Sequence, residues 1–359
     1  MLEASQPDRQ SQESRPHMRI VNSVLGDARG GRWQVVCGYS RILVENGHEV
    51  LLVLNQQHLP GLGGLPPGVR VQAVRNHGHY DYLAAFRARP RLRKFSPALA
   101  IAHCSRSVAL LKRALDPKTP LLAVSHSNKV RRLLPADAYI ALTEHIATQF
   151  ETAATGKPCY RLPNMIQMGA AEQPGLRRRH VPVRIGAMGR FDRVKGFDVL
   201  IDALALLRQQ GYQFEATIAG SGDQRAALEA QLSGAGLSDC VALSGWVDDV
   251  SGFLSRLDIL CIPARSDAFG LTPLEGARAA LPMVLSTASG HCEMFADNRQ
   301  ALFADVGDKS ATAARIARLI DDPQLAGSLA EAAFRRVADY YSETVVSEKL
   351  LQIIDKYRK

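Results

Sequence analysis

Three short stretches hold residues whose types and spacing suit an anionic ligand. In GRFDRVKGFDVL, Arg190 and Lys195 fall just after an apolar run and just before a helical pattern. Two cations beside a helix N-terminus make a site for a diphosphate, because the unpaired N–H groups and the side-chain charges act together. Two solvated surface cations are the plain alternative. In IPARSDAFGLTPLEGARAA, Asp267 and Glu275 stand eight residues apart with Phe269-Gly270 between them. Gly270 lets the backbone approach a ligand closely, and the amides from Gly270 to Thr272 would face an anion at the start of the next helix. The same residues read as a capping box, with Thr272 as N-cap, Pro273 first in the helix and Glu275 three on. That gives Glu275 a purely structural use. The third stretch, Gly26-Asp27-Ala28-Arg29-Gly30-Gly31, precedes a helix; it could close over a phosphate or be a tight strand-to-helix turn.

Other signals point away from competing chemistries. Gly220-Ser221-Gly222 follows a strand, but a dinucleotide fingerprint needs a third glycine where Arg225 stands. No Asp-x-Asp triplet occurs, which disfavours a metal-held diphosphate. His77 and His79 lie in a polar, glycine-bearing loop and read as solvated rather than as metal ligands. The six cysteines are scattered without a C-x-x-C pair, the pattern of reduced thiols in a cytoplasmic chain rather than of a zinc cage. No cofactor is expected.

Those residues need elements to hold them. MRIVNSVL reads as a strand, RWQVVCGYSRILVENG as a helix closed by Asn46-Gly47, and HEVLLVLNQ as the next strand: a βαβ unit of the doubly wound kind. Strands follow at VRVQAV, ALAIAHC, LLAVSH, AYIALT and CYRLPN, with SVALLKRAL a helix stopping at Asp116-Pro117. A second series starts at VRIGAMGR. It runs through the helix FDVLIDALALLRQQG, the strand FEATIAG, the helix AALEAQLSGAG and the strands CVALSGW, ILCIPA and PMVLST. It turns helical from about Ser310, with a break at Asp321-Asp322-Pro323. The expected division is a disordered tail at 1–17, a Rossmann-like domain at 18–169, a linker at 170–182, a second such domain at 183–339 and a closing segment at 340–359. A length of 359 residues suits two domains. No run approaches the roughly 20 apolar residues of a membrane-spanning helix, and the polar first residues lack the apolar core of a secretory signal.

Charge is uneven. Residues 18–165 hold 20 Lys and Arg against 8 Asp and Glu, while 166–359 hold 22 against 24. The first half is therefore expected to face something anionic. The run FRARPRLRKF places Arg87, Arg89, Arg91, Arg93 and Lys94 among Phe86, Leu92 and Phe95. This suits an anionic membrane surface or a phosphorylated lipid-linked acceptor, with Lys129, Arg131 and Arg132 adding to it; a solvated face is the alternative. No nucleic-acid motif is present.

In order and spacing, GGRWQVVCGYSRILVENGHEV, GRFDRVKGFDVLIDAL, ATIAGSGDQ, VALSGWVDD, PARSDAFGLTPLEGARAALPMV and SGHCEMFAD resemble the retaining family-four glycosyltransferases, glycosyltransferase group 1. That resemblance implies an α/β GT-B fold, two Rossmann-like doubly wound domains facing a central cleft, with the last helix crossing back onto the first domain. It implies that Asp267 contacts the donor sugar, Glu275 holds the ribose hydroxyls, and Arg190 and Lys195 neutralise the diphosphate. The amides of Phe269, Gly270 and Leu271, with Thr272, would bind sugar and phosphate oxygens. Gly30 and Gly31 match the family's first-loop glycines, His103 its active-site histidine, Trp246 and Val247 the place of the base, and Glu293 the acid of its Gly-Gly-x-x-Glu segment. Three positions depart from the pattern: Asp267 stands for the usual Glu, Ser289-Gly290 for Gly-Gly, and Pro163-Asn164-Met165 for Pro-Asn-Gly.

The implied function is a retaining, metal-independent transfer of a sugar from a nucleotide-sugar donor, UDP-linked, to a glycan or lipid-linked acceptor. A bacterial lipopolysaccharide-core or surface-polysaccharide pathway is the expected setting, and the cytoplasm or the inner membrane face the expected place. The competing readings are a nucleotide-sugar epimerase of the same fold and a non-enzymatic, basic polyanion-binding protein.

Overall fold

The computed structural model describes residues 17–26, 30–59, 63–154, 156–169 and 179–358. Most of the expected tail, residues 170–178 of the expected linker, and Asp27, Ala28 and Arg29 of the first glycine loop lie outside the described residues.

The chain forms two compact units. One comprises residues up to Ile140, Phe150–Tyr160 and those from Leu350 on; the other comprises Ala141–Gln149 and Arg161–Lys349. The first unit is built on strands β1 (Arg19–Val24), β2 (Glu49–Asn55), β3 (Arg70–Val74), β4 (Leu99–Ala102), β5 (Leu121–Ser125), β6 (Ala138–Ala141) and β7 (Cys159–Arg161), in the order β3-β2-β1-β4-β5-β6-β7. The pairings from β3 through β5 are parallel. The second is built on β8 (Val183–Met188), β9 (Phe214–Ala219), β10 (Val241–Ser244), β11 (Ile259–Ile262), β12 (Met283–Ser286) and β13 (Leu302–Ala304), in the order β10-β9-β8-β11-β12-β13. All its pairings are parallel.

Central strands such as β4, β5, β11 and β12 are buried along their whole length. That is why they read as unbroken apolar runs: helices cover both faces of a parallel sheet. The core of the second unit joins Ile185, Ile218, Ile259 and Val284 to Leu200, Leu204 and Leu207 of helix Phe197–Gln209 and to Ile316 of helix Lys309–Asp321. Both sheets are doubly wound α/β layers, and the chain carries two such units, as the expected GT-B fold requires.

In each sheet the strand order reverses once, between β1 and β4 and between β8 and β11. Loops leaving the carboxyl ends of those strands diverge to opposite faces, and ligands of such sheets bind there. The second unit fixes its loops by backbone contact. Gly189 N–H donates to Ala219 (2.9 Å), Phe191 N–H to Ser221 (2.8 Å) and Gln224 N–H back to Phe191 (3.0 Å). A Cβ on Gly220 would lie 1.9 Å from the Gly189 oxygen, and one on Gly222 2.4 Å from that of Phe191. The Gly220-Ser221-Gly222 pattern therefore serves loop-to-loop packing.

Some elements differ from expectation. Helix Thr272–Arg278 has Leu271 as its N-cap, with no side-chain cap bond. The expected capping box fails because Thr272 is already helical and Pro273 sits second. The basic run forms helix Tyr82–Phe95, whose N-cap Asp81 accepts from Ala84 N–H and whose first turns precede Pro90. Helix Glu144–Ala153 and the three-residue β13 were also not anticipated.

Gly196 is a test of this architecture. It combines φ +69° with a Cβ position 2.1 Å from the Pro263 oxygen. Gly196→Ala is expected to cost more than about 1 kcal/mol, from the left-handed backbone alone. Urea unfolding measures it; an unchanged midpoint would contradict the close approach of these two loops.

Candidate active site

The chemistry of the second unit gathers where its strand order reverses. After β8 the chain runs through Gly189, Arg190 and Phe191 to Asp192, which caps the tight turn Arg193–Lys195 by accepting from Lys195 N–H. After β11 it runs to Asp267. Lys195 Nζ donates to Asp267 Oδ2 at 2.8 Å, with the two side chains 26% and 12% exposed. The pair spans 72 residues of sequence. The residues assigned separately to diphosphate and to sugar are thus bonded to each other. Burial alone would push the Asp267 carboxyl up; the Lys195 ammonium beside it outweighs this and holds the group below the usual carboxylate range.

The loop beyond Asp267 is firmly held. Asp267 Oδ1 accepts from Phe269 N–H at 3.4 Å, and the Asp267 carbonyl accepts from Gly290 N–H at 3.1 Å. Phe269 is buried against Tyr341, ring centroids 5.6 Å apart. Gly270 turns the chain with φ +84°. Leu271 and Thr272 lead into the helix, and Glu275 lies one turn inside it, only 9% exposed. Gly290 is required because a Cβ there would meet Phe269 N at 2.7 Å; its neighbour Ser289, in place of the family's first glycine, faces no such limit.

Beneath Asp267 lies His291, fully buried and not anticipated from sequence. Its Nδ1 stands 3.1 Å from the Ser286 carbonyl, while Nε2 has no partner among the described residues. Burial lowers its pKa, and Asp267 pulls the other way without cancelling it. A neutral imidazole donating from Nδ1 fits this environment. Arg190, in contrast, is 63% exposed and pairs with Asp192 at 3.0 Å. Trp246 and Val247 follow β10 on an exposed loop, tied to its neighbour by Gly220 N–H donating to the Gly245 carbonyl at 3.0 Å.

At the reversal in the first unit the character is different. Gly30, with φ +61°, opens helix Gly30–Glu45, and Gly31 follows it in the first turn. His103 directly follows β4, 1% exposed, its N–H donating to the Ser23 carbonyl on β1 at 2.8 Å. His103 Nδ1 lies 2.9 Å from Nε2 of His126, which follows β5 and is partly exposed. His126 is a second residue, after His291, that sequence reasoning missed: a lone histidine after a strand carries no signal until its neighbour is known. Burial, then Arg32, lowers the His103 pKa to about 3, and His126 is held well below its ordinary value for the same first reason. A nitrogen–nitrogen hydrogen bond needs one donor and one acceptor, which two neutral rings supply. The buried His103 is therefore not a proton donor near neutrality, and the partly exposed member of the pair is His126.

Comparison with known proteins bears on the second unit first. Residues 173–336 match the sequence model of the glycosyl transferases group 1. The match covers just under half of the chain and is the similarity that the site residues of the second unit fall within. The amylovoran biosynthesis glycosyltransferase AmsK of Erwinia amylovora is 30% identical over 220 residues, 58% of this chain and 54% of that protein. The lipopolysaccharide core biosynthesis glycosyltransferase LpsD of Rhizobium meliloti is 32% identical over 169 residues, 47% of this chain and 48% of the relative. The chain spans about half the length of these two curated relatives. Among solved structures, Anabaena HepE in complex with UDP-glucose superposes with a TM-score of 0.80 at 18% identity, covering 95% of this chain and all of that one. Sucrose-phosphate synthase from Thermosynechococcus elongatus gives 0.80 at 17% identity, covering 94% and 98%. These likenesses carry the fold.

The group 1 match contains Arg190, Lys195, Asp267, Glu275 and Glu293, and excludes His103 and His126. Glu293 is engaged structurally. It accepts from Glu144 N–H at 2.8 Å and from Arg161 Nη2 at 2.6 Å, so it caps helix Glu144–Ala153 from 149 residues away. Among the described residues no three His, Cys, Asp or Glu gather to hold a metal ion, His77 and His79 included.

Two expectations follow. Lys195→Ala strands a buried carboxylate and should cost about 3–5 kcal/mol, against about 0–1 kcal/mol for Arg190→Ala at an exposed pair. Chemical unfolding of the two variants compares them, and equal losses would contradict the buried pair. The depressed His103 and His126 values also mean that unfolding takes up protons below the unperturbed value. Their contribution to stability is present above pH 6.5 and lost as pH falls below it. Unfolding of His103→Gln/His126→Gln should be less pH-dependent in that window than that of the parent.

Proposed function

We propose that the protein is a retaining glycosyltransferase that moves a sugar from a nucleotide-sugar donor, UDP-linked, to a glycan or lipid-linked acceptor in cell-surface polysaccharide or lipopolysaccharide-core synthesis. The observation that carries this reading is the Lys195–Asp267 pair at the strand-order reversal, one loop away from the buried Glu275. Support for the nucleotide comes from HepE, seen with UDP-glucose, and for the setting from AmsK and LpsD.

The chemistry runs from these groups. As the bond from the anomeric carbon to the diphosphate oxygen breaks, negative charge collects on the leaving phosphate. Lys195 and Arg190 meet that charge, which is stronger in the transition state than in the bound donor. Positive charge supplied by side chains makes the reaction metal-independent in this proposal. Lys195 must then exchange Asp267 for phosphate, which frees the Asp267 carboxylate to accept from a sugar hydroxyl. Its side chain, one methylene shorter than Glu, is already drawn toward Lys195. The amides of Phe269, Gly270 and Leu271, with the Thr272 hydroxyl, face sugar and phosphate oxygens; Glu275 accepts from the ribose hydroxyls, and Trp246 and Val247 line the base. The acceptor hydroxyl attacks the face the phosphate leaves, and the departing phosphate oxygen takes its proton. The anomeric configuration is retained without a second carboxylate.

We assign the acceptor to the first unit, where His126, backed by His103, offers a neutral hydrogen-bonding ring and Gly30 and Gly31 admit a close approach. Helix Tyr82–Phe95 exposes Tyr82, Leu83 and Phe86 beside its cations, which suits contact with an anionic membrane carrying the acceptor, on the cytoplasmic face. No described helix is long and apolar enough to cross a membrane.

Two variants test this. Glu275→Ala should abolish the rise in melting temperature that UDP gives the parent protein without added metal. Lys195→Ala should lower kcat by about a hundredfold or more, the scale of losing one transition-state charge contact, with a smaller change in KM. Retained UDP binding in the first, or unchanged turnover in the second, would overturn the assignment.

A further inference from the structure

The amino ends of the first unit's strands hold a feature that the chemical step of the transfer does not use. Between the starts of β1, β2 and β3 and the last turn of helix Tyr82–Phe95 lies an open hollow of about 430 Å³. It is at the edge of the sheet opposite His103 and Gly30. Its floor is Leu51, Gln72 and Phe95, all buried. Its rim is charged: Arg19 and Arg70 from the strands, Arg91 and Lys94 from the helix, and Glu49.

The rim is unbalanced. Glu49 pairs with Arg70 at 3.4 Å, while Arg19, Arg91 and Lys94 form no ion pair among the described residues. The helix terminus explains part of this, since a helix C-terminus favours cations in its last turn. It does not explain Arg19 and Arg70, which reach the same hollow from different strands. Gln72 is the second observation. It lines the hollow, is 5% exposed, and its Oε1 has no hydrogen-bond partner among the described residues. A buried amide without a partner is costly and is rare in native folds unless something else satisfies it.

We propose that this hollow is a second binding site, for a phosphate group on a hydroxyl-bearing carrier. The phosphate sits among Arg19, Arg70, Arg91 and Lys94, where guanidinium forks match its oxygens. A carrier hydroxyl donates to the Gln72 amide oxygen, and the carbon skeleton lies on Leu51 and Phe95. A polyol phosphate has this chemistry, whether free in solution or as the headgroup of an anionic phospholipid.

The test compares the parent with Arg91→Ala/Lys94→Ala, at exposed and unpaired positions, and with Gln72→Leu, which replaces the buried amide by an apolar side chain of similar size. Free glycerol 1-phosphate is titrated by calorimetry, and vesicles of phosphatidylcholine with or without phosphatidylglycerol are tested by co-sedimentation. The parent should bind at least one of the two phosphates. Binding of the free compound assigns the site to a soluble ligand, and binding of phosphatidylglycerol vesicles alone assigns it to a headgroup. In either case the double variant should bind at least about tenfold more weakly, equivalent to about 1.4 kcal/mol. Gln72→Leu should also weaken binding, with the salt dependence unchanged, while its UDP-induced melting shift stays that of the parent. Absence of both interactions, or a double variant that binds like the parent, would overturn the proposal. Loss with Arg91→Ala/Lys94→Ala but none with Gln72→Leu would reduce the site to a charged surface and overturn it as well.

Discussion

A lysine and an aspartate 72 residues apart meet at 2.8 Å at the strand-order reversal of the second sheet. Much around them follows from keeping that contact. Lys195 is delivered by a turn that Asp192 caps and that Gly196 lets run against the Pro263 carbonyl. Asp267 is delivered by a loop pressed onto Gly290 and anchored by Phe269 against Tyr341. Two mostly buried opposite charges tolerate each other only while paired. The pair is thus a clamp between two loops, and in the proposed reaction it is also the store of positive charge that the diphosphate claims.

The first unit solves the same topological problem without charge. Its reversal between β1 and β4 is held by neutral groups: Ser23 and Ser107 hydroxyls 2.9 Å apart, Leu25 N–H donating to Ser107 Oγ, and the His103–His126 pair. Burial lowers both imidazole pKa values, and Arg32 depresses them further. One unit therefore presents a charged pair and the other a neutral hydrogen-bonding one. This is the division expected when one ligand is an anionic diphosphate and the other is an alcohol.

Much of this was legible from sequence, for physical reasons. Buried parallel strands are continuous apolar runs, so LAIA, LLAVS, ILCI and MVLS announced themselves. Glycine positions were legible as positions but not as causes: Gly220 and Gly222 resembled a dinucleotide loop and instead accommodate the Gly189–Phe191 backbone. Helix Tyr82–Phe95 was hidden because Pro90 and five cations mask its buried face, which is only Ala84, Ala85, Ala88, Leu92 and Phe95. Site residues were legible as types. Their pairings were not, because Lys195 with Asp267, His103 with His126 and Glu293 with the start of helix Glu144–Ala153 are all made by tertiary structure.

The central claim is that the reversal in the second sheet receives the nucleotide diphosphate and that Lys195 leaves Asp267 to do so. Amide hydrogen exchange of the whole protein, with and without UDP, tests it most directly. The account predicts slowed exchange in two segments, Gly189–Gly196 and Asp267–Glu275, with the amino-end edge of the first sheet unchanged. Slowed exchange confined to other segments, or none at saturating UDP, would contradict it.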